Sequence, residues 1–217
     1  VLTIKPHTGV VEVRRGDATM TRMPKLIDHD ERRSHIVDVT WTLIVEGGIE
    51  AATMREIAAA AGFANGALKR YFASKDDIIE ATYDRALAVV SSYVAQDHGR
   101  GLAGLQAFCL AAMPLDARRI EAARVLLAFW SVSLYSPKLH AKYLTHLRAW
   151  RTQLAAFLRQ GREDGEIRSA LPDEQLVDEL VLLNAGANMM SLLGPKFSTT
   201  RLQRQHLADF MLRLQQP

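Results

Sequence analysis

Cysteine occurs once, at Cys109, inside an apolar run. A lone thiol cannot staple a fold, so the sequence points to a reducing compartment and to no disulfide framework. No run of 18 or more apolar residues is present, so no transmembrane helix is expected. The N-terminus lacks the basic-then-apolar pattern of a secretory signal. These absences lead to the expectation of a cytoplasmic protein with no membrane partner. An excess of one charge is missing too: 27 Lys+Arg stand against 24 Asp+Glu. Residues 1–75 carry 11 basic against 9 acidic side chains, and the remainder 16 against 15. Bulk charge therefore does not announce a nucleic-acid partner, and any such case must rest on local placement. Catalytic signatures are absent as well: no H-E-x-x-H, G-x-S-x-G, P-loop or C-x-x-C occurs. His140 and His146 are six apart, which does not put them on one helical face for a metal. His29 and His35 read as solvated side chains. No enzyme activity, metal or cofactor is expected.

What is present is helical periodicity. The 217 residues are 48% hydrophobic, enough for one large domain or two small ones. Residues 1–24 loosely alternate Val, Ile and Thr with charges and read as a flexible arm. From Asp30 onward apolar residues recur at helical steps. A first helix is expected over Asp30–Glu46, closed by Gly47-Gly48. Thr53 and Glu56 have capping-box spacing at the start of Met54–Ala61, and Gly62 stops that helix. A short helix over Asn65–Phe72 follows, then a Ser74/Asp77 box opens a long helix over Lys75–Gln96. Five more helices are expected, with Asp116, Ser136 (followed by Pro137), Pro172 and Thr199 opening four of them. No strand-period segment appears after residue 22. The fold class is all-α, about nine helices, with a helix-turn-helix domain over 25–74 and a helical domain over 75–217.

The segment Thr53–Phe72 has the layout of a helix-turn-helix: a capped helix, a glycine turn and a short second helix. Ile57, Ala58, Ala61, Phe63, Leu68 and Phe72 are spaced to lock the two helices together. Left outside are Arg55, Ala64, Asn65, Gly66, Ala67, Lys69, Arg70 and Tyr71. Arg and Lys pair with guanine edges, Asn with adenine, and Ala touches a thymine methyl. Lys75, at the start of the next helix, suits a phosphate. The plainer alternative is a surface helical hairpin with solvated charges.

Residues 32–87 resemble the DNA-binding domain of the tetracycline-repressor (TetR) family. The matching features are Ile36, Gly47, Thr53, Ile57-Ala58, Ala61-Gly62, Leu68, Tyr71-Phe72, Lys75 and Ile78-Ile79, in order and at the family's spacing. The resemblance implies a homodimer on a DNA operator, with a small-molecule effector bound in the C-terminal domain. It assigns Thr53 to a helix cap near a phosphate. It matches Arg55, Asn65, Gly66, Ala67, Lys69 and Arg70 to base- or backbone-contacting positions, and Tyr71 and Lys75 to phosphate contacts. Two positions depart: Lys69 stands where the family usually has tyrosine, and Ala67 where it has Thr or Ser. The C-terminal half resembles, more loosely, the choline-responsive betaine-synthesis repressor subgroup. Arg124–Trp130, Ser136–Leu139, Tyr143, Arg148 and Leu182–Gly194 carry that likeness.

Phe108, Phe129, Trp130, Tyr143 and Trp150 are candidates for the wall of a ligand pocket, where aromatic faces attract a quaternary ammonium. At these spacings aromatics also form ordinary core. The helix over Pro172–Leu193 has two apolar faces, so it must pack on its own domain and on something else. Val177, Val181, Asn184 and Asn188, with Leu202 and Phe210 on the last helix, are the expected dimer contacts of a two-fold four-helix interface. The reading is a ligand-responsive repressor released from a palindromic operator. The alternative is a helical ligand-binding or interaction protein without sequence-specific DNA binding.

Overall fold

The computed structural model describes residues 29–64, 66–94 and 99–217. Residues 1–28 of the expected arm and domain start, and Asn65, lie outside the described residues; the helix expected over Lys75–Gln96 is shorter, ending at Ser91 with Ser92 as its C-cap. Among those described there are eight α-helices, one 3-10 helix and no strand. The helices are α1 (His29–Ala51), α2 (Met54–Ala60), α3 (Lys75–Ser91), α4 (Gly101–Ala112), α5 (Ala117–Ser133), α6 (Pro137–Glu163), α7 (Asp173–Leu193) and α8 (Thr200–Leu214). The 3-10 helix, Ala67–Arg70, lies between α2 and α3.

Most helix starts follow from one side chain. Thr53, Ser74, Asp116, Ser136 and Thr199 each accept a hydrogen bond from a backbone N–H of the first turn. The Ser74/Asp77 box is complete, with Asp77 Oδ2 accepting from Ser74 N at 2.8 Å. The Thr53/Glu56 box is half made. Thr53 Oγ1 accepts from Glu56 N at 3.2 Å, but the Glu56 carboxylate is taken by Arg55 at 2.9 Å. The first helix runs five residues beyond its expected end. Gly48, at φ 72, kinks it and does not stop it, because Ile49–Ala51 resume helical geometry.

Burial sorts these helices into two apolar clusters. The first joins α1, α2, α3 and α5 through Ile36, Ile57, Leu68, Ile78 and Phe129, and takes Leu139 from α6. The second joins α4, α6, α7 and α8 through Leu105, Leu154, Leu180 and Leu207. Each of these side chains is at most 1 % exposed, and burying one contributes about 1.5–3 kcal/mol. The first cluster continues across residue 74: the helix-turn-helix packs on α1, and α1 packs on α3 and α5. Helix α6 serves both clusters, Leu139 at one end and Leu154 further along.

Candidate functional site

The helix-turn-helix is held from beneath. Ile57 and Leu68 are fully buried, and Phe72 is nearly so. Gly62 makes the turn at φ 72, a left-handed conformation that side chains with a Cβ rarely adopt. The Arg33 guanidinium lies 4.0 Å from the Phe72 ring and donates to the Tyr71 carbonyl, tying α1 to the end of the motif. Above this base, Thr53, Arg55, Ala64, Gly66, Lys69 and Arg70 are exposed, and Ala67 and Lys75 are half-buried. Lys69 and Arg70 sit in the last turn of the 3-10 helix. Tyr71 differs from the rest: its ring packs at 5.4 Å on Phe63 and 5.2 Å on His29. The segment expected as a helix over Asn65–Phe72 is narrower, a single 3-10 turn with Tyr71 as its C-cap.

A second feature lies at the seam between the two clusters. A cavity of about 440 Å³ takes Tyr83, Leu87 and Val90 from α3, Leu126 and Trp130 from α5, and Phe108 from α4. Helix α6 adds Tyr143, His146 and Trp150, and α7 adds Val181, Asn184 and Asn188. Cavities of this size, apolar with a few polar groups, suit small organic ligands. Four of the five expected aromatics, Phe108, Trp130, Tyr143 and Trp150, meet here. Phe129 does not: it is 1 % exposed and stacks behind Tyr83, ring centroids 3.7 Å apart. Tyr83 takes the wall position, and burial, then the neighbouring Tyr143 and Asp84, raise its phenol above the ordinary range. Sequence reasoning missed Tyr83, His146 and Asn184 as lining residues. The helical phase was the available signal for His146: it lies one turn from Tyr143 and Trp150 on α6.

His146 stacks on Tyr83 at 5.2 Å. Burial, and then the Lys142 ammonium, push its imidazole below the ordinary value. Cys109 is buried beside the Asn184 amide, and burial pushes its thiol up to about 12, so it is a packing group and not a nucleophile. Among the described residues, no group of three or more His, Cys, Asp or Glu side chains is placed to hold a metal ion.

The cavity and the DNA-reading motif share helices. α3 carries the Ser74/Asp77 cap against the motif at one end and Tyr83–Val90 in the cavity wall at the other. α6 is bound to α3 by a ladder of charges outside the cavity. Lys138 pairs with Asp77 and, at 3.0 Å, with Glu80; Lys142 pairs with Asp84 at 3.0 Å and Glu80 at 3.4 Å. Ser136 Oγ donates to Asp76 at 2.6 Å.

The expected dimer contacts need correction. Val177, Asn184, Asn188 and Phe210 are buried in the chain's own interior, and Val181 lines the cavity. Leu202, like Val181, is half-buried. Asn184 and Asn188 face inward: both line the cavity, and the Asn188 amide donates to the Ala112 carbonyl at the end of α4 at 3.2 Å. The free apolar face of α7 is instead Leu182, Met189 and Leu193, with the exposed Gly186 between them. Phe197 and Leu212 are exposed as well.

Comparison with known proteins agrees with this arrangement. Residues 36–82 match the bacterial regulatory proteins of the tetR family, and residues 102–216 match the C-terminal domain of BetI-type transcriptional repressors. The chain is 30% identical over 172 residues to the HTH-type transcriptional regulator BetI of Serratia proteamaculans, covering 75% of this chain and 85% of that one. It is 47% identical over 57 residues to the HTH-type transcriptional regulator PksA of Bacillus subtilis, covering 26% of this chain and 28% of that one. A transcriptional regulator from Saccharomonospora viridis, solved in complex with choline, superposes with a TM-score of 0.75 at 25% identity, covering 84% of this chain and 96% of that one. With one match spanning the helix-turn-helix and the other more than half of its length, the chain belongs to the TetR family of bacterial transcriptional regulators, with a BetI-type C-terminal domain.

Proposed function

We propose that this protein is a homodimeric repressor that grips a palindromic operator and is released when a small effector fills the seam cavity. The observation that carries the reading is the cavity's position: its walls join α3 and α5, on which α1 and through it the helix-turn-helix rest, to α4, α6 and α7 of the second cluster. A ligand that prefers a different spacing of those walls tilts α3 and, through α1, the motif. DNA and ligand then weaken one another by the same factor.

Residues 25–74 act as the reading head and 75–217 as the effector and dimer portion. Lys69, Arg70 and Arg55 contact the groove and backbone, with the small residues Ala64, Gly66 and Ala67 admitting close approach. Thr53, Tyr71 and Lys75 hold phosphates, and Asn65 reads a base edge. The second copy packs on Leu182, Gly186, Met189 and Leu193, which recur at steps of four, three and four along one face of α7. By length and composition alone α7 is apolar enough to cross a membrane. It also carries Asp178, Glu179 and two buried asparagines, and a protein partner on its outer face accounts for the apolar excess. The choline complex of the Saccharomonospora viridis regulator supports the BetI-type domain as a ligand site.

Selection of bound duplexes from a random library tests the reading. A homodimer enriches an inverted repeat with half-site centres one helical turn, about 34–36 Å, or a multiple of it apart. Enrichment of a single unrepeated site, or of none, contradicts it.

A further inference from the structure

The second helix of the helix-turn-helix is too short to hold its own shape. Ala67–Arg70 is a single 3-10 turn, and Gly66 at its start makes no side-chain cap. Fixing one turn costs more backbone freedom than its few hydrogen bonds return, so such a turn persists where its neighbours hold it. Leu68, fully buried, holds it from beneath. Its far end is held from another helix.

His29, Arg32 and Arg33 are spaced i, i+3 and i+4, so they share one face at the start of α1. All three meet the motif. The His29 ring lies 5.2 Å from the Tyr71 ring, the Arg32 guanidinium 5.7 Å from the Phe63 ring, and the Arg33 guanidinium 4.0 Å from the Phe72 ring. Arg33 Nη1 also donates to the Tyr71 carbonyl. Tyr71 is the C-cap of the 3-10 turn, the end at which carbonyls lack partners within a helix. A cation there satisfies a carbonyl and suits the negative end of the turn. The carboxylates in the groove beside Arg33, those of Asp77, Glu80 and Asp84, are engaged by Lys138 and Lys142.

We propose that Arg33 is a positioning residue for DNA reading: it caps the 3-10 turn from outside the helix-turn-helix and holds Lys69 and Arg70 in register with the groove, without itself touching DNA. The inference rests on the reading of Lys69 and Arg70 as DNA contacts. Without the cap only a fraction of molecules presents the competent turn, and operator affinity falls by that fraction in each copy. Non-specific binding, which needs charge and not register, is spared.

Two variants of the full chain test it. Arg33→Met removes the cation and keeps the stem; Arg33→Lys keeps the charge and loses the planar fork that spans ring and carbonyl. Each is titrated over a range of salt with a duplex selected from the random library and with a scrambled duplex. Backbone NMR shifts of residues 67–71 follow the turn in the free protein. Both variants are expected to lose about threefold in operator affinity per copy, the size of one exposed contact of this kind, and so about tenfold in the dimer. Non-specific affinity and salt slope stay unchanged, and the shifts of residues 67–71 move toward coil values while those of α2 and α3 do not. Should Arg33→Met fail to fold, Arg33→Lys decides alone. Unaltered operator affinity and shifts in both variants overturn the proposal. So does a salt slope lowered by about 2 in Arg33→Met and restored in Arg33→Lys, which marks a direct phosphate contact. Shifts that move throughout α2 and α3 overturn it in favour of a general role in folding. An unaltered protein that holds both duplexes equally is a different result: it overturns the reading of Lys69 and Arg70 themselves.

Discussion

Removing the charge ladder between α3 and α6, by Lys138→Ala combined with Lys142→Ala, has a calculable effect. The two lysines meet Asp77, Glu80 and Asp84, and the side chains involved are between 24% and 49% exposed. Partly exposed pairs of this kind contribute about 0.3–0.5 kcal/mol each, so the double variant loses about 1–2 kcal/mol. For a chain of this size that lowers Tm by about 3–6 °C. The hydrogen bond from Lys138 holds Asp77 and Glu80 below their ordinary values. The ladder's contribution is therefore present above the ordinary carboxylate range and lost as pH falls through the lowered values. Asp77 and Glu80 hold Lys138 above its ordinary value; Lys142 is also raised, burial opposing and Asp84 and Glu80 prevailing. On that side the contribution is complete below the ordinary lysine value and lost as pH rises through the raised ones. Scanning calorimetry is thus expected to show a gap between wild type and variant that is flat from about pH 5 to pH 10 and closes in acid. The gap also shrinks at 1 M salt, where the Debye length is about 3 Å. A variant as stable as wild type at low salt and neutral pH, or a gap undiminished by acid and salt, refutes the reasoning.

Three further outcomes follow from the same packing. Phe129→Ala, which empties a site 1 % exposed and stacked on Tyr83, costs about 3–5 kcal/mol in urea unfolding; a loss under 1 kcal/mol contradicts its place behind the cavity wall. Leu182→Lys with Leu193→Glu puts charges on the free face of α7 and is expected to sediment as a monomer with unchanged helix content; an unaltered dimer places the interface elsewhere. Lys69→Ala with Arg70→Ala leaves Tm unchanged, because both side chains are exposed, and, with two cations lost from each copy of the dimer, lowers the salt slope of DNA binding by about 2–4; an unchanged slope removes these two residues from the DNA contact.

Helix starts were the most legible part of the sequence because each is a local event. A Ser, Thr or Asp at the right offset meets a free backbone N–H, as at Ser74, Asp116, Ser136 and Thr199. The aromatic wall was legible for the same reason, since Tyr143 and Trp150 share a helical stripe with the buried Leu139 and Leu154. What the sequence did not carry was competition between partners. Glu56 had the spacing to finish a capping box, yet the neighbouring Arg55 took its carboxylate. Phe129 had the chemistry for the wall, yet Tyr83 from another helix came between. On α7 periodicity exposed two apolar faces but not which one met the chain's own core. The asparagines suggested a surface, but both line the cavity and Asn188 reaches the Ala112 carbonyl of α4. That exchange moved the free face to Leu182, Met189 and Leu193.

Sequence-specific DNA binding is the centre of the account, and a competition titration measures it directly. The purified protein is titrated at fixed salt with a duplex taken from the DNA flanking its own gene, or selected from the random library, against a duplex of scrambled sequence. A specificity ratio of about a thousandfold or more is the predicted result, the range of specific binders. A folded protein that holds both duplexes equally contradicts the account and turns the seam cavity into the site of a carrier.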